Sequence, residues 1–124
     1  MVLDASALLA FLHDETGADK VLPLLHHAHV SAVNHSEVLG KLIQRGLEPE
    51  RANQALNRLN YQVHPFDHRQ ALSAAALLPQ TRRLGLSLGD RACLALARTR
   101  GKPAVTADRA WAELDVDITV RLIR

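Results

Sequence analysis

Four acidic residues stand at points where a chain rich in leucine and alanine would otherwise keep its apolar pattern: Asp4, Glu37, Asp90 and Asp108. Two of them directly follow short apolar runs, and the other two lie on segments with the pattern of helices. Acidic residues at the carboxyl ends of parallel strands collect in the crevice where open α/β sheets bind ligands. Two carboxylates ~4 Å apart repel by about 4 kcal/mol at an effective dielectric constant near 20. The four acids therefore predict a site for a divalent cation.

The types of residue also select the metal. Carboxylate oxygens suit Mg²⁺ or Mn²⁺, whereas zinc prefers histidine or cysteine among its ligands. Ser6 and Thr106 lie two residues from Asp4 and Asp108, where their hydroxyl groups can orient a carboxylate or hold a bound water. We expect these two hydroxyls to support the metal ligands.

A metal site built from histidines is the weaker alternative. Four of the seven histidines are close in sequence: His26, His27, His29 and His35. The adjacent His26 and His27 point to different faces of a helix, and the group lacks the i,i+4 or short-loop spacing of a zinc site. The histidine pattern therefore does not favour metal binding.

Each acid also has a purely structural explanation. The two acids that follow apolar runs could cap the helices after them. Glu37 precedes Lys41 by four residues, which is the favourable order for an ion pair on a helix surface. Ser87 and Asp90 have the spacing of a capping box, although aspartate is one methylene shorter than the usual glutamate. The predicted metal site thus depends on the joint arrangement of the acids.

Strands separated by helices are expected along the whole chain. The predicted strands are Val2–Leu3, His29–Ser31, Val63–Phe66, Ala104–Thr106 and Ile118–Leu122. The predicted helices are Ser6–His13, Gly17–His27 with a kink at Pro23, Ala32–Arg45 ended by Gly46, Pro49–Asn60, a helix capped by Asp67 that runs to Leu78, Ser87–Arg100 and Arg109–Leu114. This alternation is typical of a central parallel sheet flanked by helices on both faces. We expect one α/β domain over residues 1–124.

Composition limits the environment and the partners. At 48% apolar residues the chain can form a core, and no apolar run approaches the roughly 20 residues of a membrane span. A single cysteine, Cys93, fits a reducing cytoplasm, so we expect a cytoplasmic protein without a membrane partner. The net charge of +2 becomes +6 when the four candidate acids are set aside, since 15 Lys and Arg then face nine acids. A basic body attracts polyanions.

The kind of polyanion is limited by the scarcity of aromatic residues: Phe11, Tyr61, Phe66 and Trp111. RNA binding by base stacking needs several aromatic side chains on one face. If the chain binds RNA, it must therefore contact the phosphates and the shape of the RNA. Arg82, Arg83 and Arg91 are near Asp90 in sequence and could hold the RNA backbone, although a plain solubility role explains Arg82 and Arg83 equally well.

Four segments carry a resemblance to a known family: Val2–Leu9 (VLDASALL), Val30–Leu39 (VSAVNHSEVL), Leu86–Ala97 (LSLGDRACLALA) and Pro103–Trp111 (PAVTADRAW). Each contains one of the four acids, and together they span nearly the entire chain. The set resembles the PIN-domain family, particularly the toxin ribonucleases of VapC type. The family often has alanine where this chain has Gly89, and glycine costs about 1 kcal/mol relative to alanine within a helix.

The resemblance implies a compact α/β fold with a central parallel sheet, a homodimer, and Mg²⁺- or Mn²⁺-dependent endonucleolytic cleavage of RNA. It also implies a cognate antitoxin whose tail occupies the active site. Carried over by position, Asp4, Glu37, Asp90 and Asp108 become metal ligands. Ser6 and Thr106 become their polar support.

Three other functions remain open at this point. A non-catalytic PIN-fold interaction module would keep the fold and the acids for a partner. A phosphoacceptor receiver domain has a similar length, but it needs an acidic pair at the first strand, and its Lys-Pro step should follow a strand, whereas Lys102-Pro103 precedes one. A phosphatase of the haloacid dehalogenase type needs Asp-x-Asp at that strand, and Ser6 takes the place of its second acid.

Overall fold

Five short parallel strands form the centre of the protein. The computed structural model describes all residues, 1–124. The strands are β1 (Val2–Leu3), β2 (His29–Ser31), β3 (Gln62–His64), β4 (Ala104–Thr106) and β5 (Val120–Leu122), in the spatial order β3-β2-β1-β4-β5. The chain builds the sheet from β1 outward to β3 and then crosses to the other side of β1. In open parallel sheets, ligands usually bind in a crevice at the carboxyl ends of the strands where the strand order reverses in this way.

Strand register places the acids of the two central strands next to each other. Leu3 of β1 pairs with Val105 of β4, so Asp4 lies beside Thr106. The Asp4 N–H donates to the Val105 carbonyl at 3.1 Å, which extends the ladder beyond the short strand. The chain therefore leaves β1 at the edge of the sheet where the crevice opens.

Helices cover both faces of this sheet, as the sequence predicts. The α-helices are α1 (Ala5–Leu12), α2 (Ala18–Val21), α3 (Ala32–Gln44), α4 (Pro49–Asn57), α5 (His68–Ala76), α6 (Leu78–Thr81) and α7 (Leu88–Arg100). Three 3₁₀ helices are present at Leu22–His27, Arg82–Leu84 and Arg109–Glu113. None of these helices combines the length and the apolar character needed to cross a membrane.

The hydrophobic core consists of two clusters that meet at the sheet. Leu3 and Val105 belong to the cluster that includes residues of α1, α3 and α4, whereas Val2 and Ala104 belong to the cluster that includes residues of α5 and α7. Because side chains alternate along a strand, neighbouring residues of β1 and β4 enter opposite clusters. The two-faced packing of a parallel sheet follows from this alternation.

Several predicted boundaries differ from the structure. The expected helix Gly17–His27 is α2 followed by a 3₁₀ helix, since Pro23 has no N–H for continued α-helical bonding. The expected strand Val63–Phe66 ends at His64, because Pro65 cannot donate to a ladder.

Three further boundaries move by a few residues. Helix α4 ends at Asn57 instead of Asn60, which has a positive φ of 62°. The expected helix Arg109–Leu114 is a 3₁₀ helix. Strand β5 begins at Val120 instead of Ile118.

Candidate active site

Asp4 is the most buried of the predicted site acids, with 3% of its surface exposed. As the N-cap of α1, its Oδ1 accepts hydrogen bonds from the Ala7 N–H at 2.9 Å and from the Ser6 hydroxyl at 2.7 Å. Its Oδ2 accepts one from the Thr106 hydroxyl at 2.5 Å. Burial raises the pKa of Asp4 to about 6, although these hydrogen bonds act in the opposite direction. The Asp4 carboxyl group therefore caps α1, as the sequence predicts, and also binds the Ser6 and Thr106 hydroxyls.

The two predicted hydroxyls join β1 to β4. Ser6 Oγ and Thr106 Oγ1 are 3.1 Å apart, and Ser6 Oγ also accepts from the Ala107 N–H at 2.9 Å. Thr106 Oγ1 accepts from the Asp108 N–H at 3.0 Å. The Asp108 backbone is thus fixed to the same network as Asp4.

The Asp108 side chain makes no hydrogen bond within this network. It is exposed and accepts from the Ala110 N–H at 3.0 Å, which caps the 3₁₀ helix Arg109–Glu113. The helix cap that the sequence allows for Asp108 is therefore present in the structure.

Asp90 lies in the first turn of α7 and forms the predicted capping box with Ser87. The Asp90 N–H donates to Ser87 Oγ at 3.2 Å, and the Ser87 N–H donates to Asp90 Oδ2 at 2.9 Å. Aspartate therefore reaches back to the cap despite its shorter side chain. This box fixes Asp90 at the start of α7, and its negative charge contributes to the raised pKa values of both Asp4 and Glu37.

Glu37 does not form the surface ion pair with Lys41 that the sequence allowed. Its carboxylate lies beside Gly89 of α7, and its Oε1 accepts a hydrogen bond at 3.0 Å from Nδ2 of Asn34, which is also on α3. A Cβ atom added to Gly89 would lie 2.2 Å from this Oε1. Glu37 is an exposed residue, but partial burial of its carboxyl group raises its pKa, the Asn34 hydrogen bond opposes that change, and Asp90 adds to it. Gly89 therefore makes room for Glu37 and is more than a weak point in the helix.

Three of the acids raise the pKa of one buried thiol, that of Cys93. Cys93, one turn after Asp90 on α7, is fully buried, and burial raises its thiol pKa well above the usual value. The charges of Asp4, Asp90 and Glu37 raise it further, in that order. These three carboxylates are thus near enough to Cys93 to influence its pKa, whereas Asp108 is linked to Asp4 through Thr106.

The donor types of this site fit Mg²⁺ or Mn²⁺, because its side chains offer oxygen alone. Neither of the two ion pairs in the protein involves these acids: they are Arg98 with Asp117 and Arg124 with Glu15. The cluster therefore has no cationic side chain to balance it. No group of three or more His, Cys, Asp or Glu side chains is arranged closely enough to form a complete metal site.

The three predicted RNA-binding arginines have different surroundings. Arg83 Nη2 donates to the Glu113 carbonyl at 3.2 Å, and Arg91 Nη1 donates to the Ala74 carbonyl at 3.4 Å. Arg82 is exposed, and its side chain makes no hydrogen bond to the protein. Of the three, Arg82 has its charged group fully available to a ligand.

Sequence reasoning did not include Asn34 and Gly89 among the site residues. Asn34 is 1% exposed, and its Nδ2 donates both to Glu37 and, at 3.0 Å, to the Gly89 carbonyl. A sequence signal existed, since Asn34 precedes Glu37 by three residues and shares its helix face. Its contact with α7, 55 residues away, had no such signal.

The comparison with known families agrees with this arrangement. The family model for the PIN domain matches residues 1–117, a region that contains all four acids. The chain belongs to the PIN domain family. Among curated proteins, no significant match to this PIN domain was found.

Solved structures share the fold of this PIN domain at low sequence identity. A toxin-antitoxin complex from Klebsiella pneumoniae matches with a TM-score of 0.79 and 18% identity, covering 99% of this chain and 97% of that one. DNA-bound VapBC from Salmonella typhimurium matches at 0.74 and 17%, covering 99% and 97%. VapBC-5 from Mycobacterium tuberculosis matches at 0.64 and 23%, covering 99% and 96%.

Proposed function

We propose that this PIN domain, residues 1–124, is a Mg²⁺- or Mn²⁺-dependent endoribonuclease and the toxin of a toxin–antitoxin pair. One observation carries the nuclease proposal. Asp4 lies at the carboxyl end of β1, the Glu37 carboxylate lies against Gly89 next to Asp90, and none of the three acids is paired with a cationic side chain. A cluster of uncompensated carboxylates of this kind is stabilised by a bound cation.

The site residues divide into two roles. Asp4, Glu37, Asp90 and Asp108 would hold the metal. Ser6 and Thr106 keep the Asp4 carboxylate in one orientation through their hydrogen bonds. A divalent cation, when bound, neutralises phosphate charge and lowers the pKa of a water molecule. A carboxylate oxygen not engaged by the metal would then accept the proton of the attacking water.

The proposed substrate is the phosphodiester backbone of RNA. The basic body of the protein supports a polyanionic substrate, since its net charge is +6 without the four site acids, with 15 Lys and Arg against nine remaining acids. Arg82, Arg83 and Arg91 are the proposed backbone contacts, and the exposed guanidinium of Arg82 is the best placed of the three.

The proposed partners are a cognate antitoxin and a second copy of the chain. Structural neighbours described as toxin-antitoxin or VapBC complexes support the antitoxin. A homodimer acting in the cytoplasm completes the proposal, and the single buried Cys93 is compatible with that compartment. Co-expression with the adjacent reading frame, followed by purification and light scattering, would test both partners.

A non-catalytic PIN-fold interaction module is the second candidate. It is favoured by the helix caps that Asp4, Asp90 and Asp108 form, because each of these acids has a structural task without any metal. Because the chain belongs to the PIN family, it is neither a phosphoacceptor receiver domain nor a phosphatase of the haloacid dehalogenase type. Catalytic turnover separates the two remaining candidates.

Cleavage of a mixture of structured RNAs tests the nuclease directly. We expect cutting with Mg²⁺ or Mn²⁺ and none in EDTA. The variants Asp4→Asn and Asp90→Asn should reduce cleavage to the EDTA background while circular dichroism shows an unchanged fold. Asp19→Asn makes the same chemical change at an exposed position on α2 and should retain activity. A fully active Asp90→Asn protein would contradict the proposed site.

A further inference from the structure

We propose that Asn34 and Gly89 are positioning residues that hold the Glu37 carboxylate beside the first turn of α7, where Asp90 lies, and that this position supports metal binding by Glu37. The inference rests on the proposed metal-dependent function and extends it to two residues outside the four acids. Glu37 lies on a long, flexible side chain, whereas Asp4 and Asp90 are fixed by hydrogen bonds to backbone N–H groups at helix caps. Glu37 therefore needs another means of orientation.

Asn34 supplies that orientation through one amide nitrogen. Nδ2 donates to Glu37 Oε1 and to the Gly89 carbonyl, both at 3.0 Å. It thereby ties the acid on α3 to the helix that carries Asp90. Because both partners only accept hydrogen bonds, the orientation of the amide group is determined by the network.

The other end of the Asn34 amide makes no hydrogen bond. Oδ1 is buried and without a partner, while the residue is 1% exposed. The hydrogen bonds of the Asn34 amide are therefore those that Nδ2 makes, to the Glu37 carboxylate and to the Gly89 carbonyl.

Gly89 leaves space for the Glu37 carboxylate in its present position, and its backbone conformation does not need a glycine. The glycines with positive φ are Gly17, Gly46, Gly85 and Gly101, so Gly89 has a helical backbone that any residue could adopt. A Cβ atom there would lie 2.2 Å from Glu37 Oε1 and 2.7 Å from its carboxyl carbon. An alanine would push the carboxylate out of its place beside α7.

Binding of Mn²⁺ alone, measured by calorimetry with the full chain, tests this inference without using RNA cleavage. Asn34→Leu removes the amide donors and also removes the unpartnered oxygen. Gly89→Ala displaces Glu37 while improving helix propensity. We expect each variant to bind Mn²⁺ about 10- to 100-fold more weakly, which is the usual effect of losing a group that orients a metal ligand.

The melting temperature provides the readout that a merely structural role would change differently. Gly89→Ala should melt at the wild-type temperature or above it while its Mn²⁺ affinity falls. Since both variants act through Glu37, the double variant should bind Mn²⁺ about as weakly as the weaker of the two single variants. Two independent losses would instead multiply and give a much lower Mn²⁺ affinity. Glu37→Gln gives the reference for complete loss of this ligand.

Matched controls are available on the same helices and their neighbours. Gly40, on α3, also has a helical backbone, and an added Cβ there meets nothing within 4 Å, so Gly40→Ala is the control for Gly89→Ala. Asn53→Leu makes the asparagine change at an exposed position on α4. Both controls should bind Mn²⁺ as the wild type does.

The possible outcomes separate this inference from the proposed function. Wild-type Mn²⁺ affinity in both Asn34→Leu and Gly89→Ala would overturn the inference even if the protein cleaves RNA. Weakened binding in both variants would support it even if no RNA is cut, in which case only the nuclease proposal fails. A wild-type chain that binds no Mn²⁺ would overturn both. If Asn34→Leu does not fold, Gly89→Ala decides alone.

Discussion

Asp4 combines features that oppose each other in a single side chain. It is buried between β1 and α1, where a charged carboxylate is unfavourable, yet three hydrogen bonds favour its ionised form. Burial has the larger effect, because the pKa of Asp4 rises from 3.8 to about 6. At neutral pH without metal, the folded protein therefore holds a destabilising charge at this position.

This charge makes Asp4 a source of pH-dependent stability. Between pH 3.8 and about 6 the folded protein binds more protons at Asp4 than the unfolded chain does, so its contribution to stability falls as the pH rises. We expect Asp4→Asn in EDTA at pH 7 to be more stable than the wild type by up to about 3 kcal/mol. The difference should shrink as the pH falls from 6 to 3.8, as followed by thermal or urea unfolding.

Asp67→Asn is the matched control for this prediction. Asp67 is an exposed N-cap whose Oδ1 accepts from the Gln70 N–H at 3.0 Å, and asparagine caps a helix about as well as aspartate. Its stability should stay near that of the wild type at both ends of the pH range. A destabilised Asp4→Asn protein at pH 7 in EDTA would show that hydrogen bonding outweighs burial at Asp4.

At the scale of the elements, β2, β3 and α7 are joined by a chain of side-chain hydrogen bonds. Arg100 Nη2 lies 2.7 Å from His64 Nδ1, and His64 Nε2 lies 2.8 Å from His29 Nδ1. Because a guanidinium group only donates, His64 Nδ1 must accept and its Nε2 must carry the proton given to His29. Both rings are therefore neutral in this arrangement.

Acidification should break this chain. Burial lowers the pKa values of both His29 and His64, and the charge of Arg100 lowers them further. Below the usual histidine pKa of 6.5, the unfolded chain binds more protons than the folded one, so this stabilisation is lost as the pH falls. We expect the melting temperature of His64→Gln to fall less between pH 7 and about pH 5.5 than that of the wild type, as measured in the presence of EDTA.

An exposed histidine provides the comparison. His68 on α5 makes no side-chain hydrogen bond, so His68→Gln should retain the full wild-type decrease in melting temperature. Equal pH profiles for His64→Gln and the wild type would contradict a role for the histidine chain in stability.

At the scale of the whole molecule, charge is divided between an acidic site and a basic body. Asp4, Asp90 and Glu37 are near enough to Cys93 to raise its pKa, whereas 15 Lys and Arg residues are distributed over the rest of the chain. A polyanion is attracted by the body and repelled by the site until a cation neutralises the carboxylates. Metal and RNA should therefore favour each other's binding.

Arg82 allows the basic part of this arrangement to be tested. It is exposed, and its side chain makes no hydrogen bond to the protein at the turn that leads towards α7. In EDTA, which prevents cleavage, Arg82→Ser should weaken RNA binding and reduce the slope of log affinity against log salt by about 0.7, the value for one phosphate contact with single-stranded RNA. Fluorescence anisotropy at several salt concentrations measures both quantities.

Arg58→Ser is the control, since Arg58 is an exposed arginine at the end of α4. It lowers the net charge equally but should leave the salt slope unchanged. An equal loss of slope in both variants would show that RNA binding depends on total charge instead of a contact at Arg82.

The sequence by itself determined those features that depend on neighbours along the chain. Alternation of apolar strands and amphipathic helices predicts a parallel sheet with two covered faces, because each periodicity is set within a few residues. Helix caps at Asp4, Asp67 and Asp90 are local in the same sense. The positions of the four acids at strand ends and in helix turns follow from these patterns.

Only the tertiary structure decided which distant groups meet. Thr106 bonds to Asp4 across 102 positions, and Asn34 bonds to the Gly89 carbonyl across 55, so both contacts depend on the order of the strands and on how α3 crosses α7. The choice of Glu37 between Lys41 and the first turn of α7 was settled by the same packing. Local patterns carry no information on such contacts, because a side chain's partner is determined by the assembled sheet and helices and not by its neighbours in sequence.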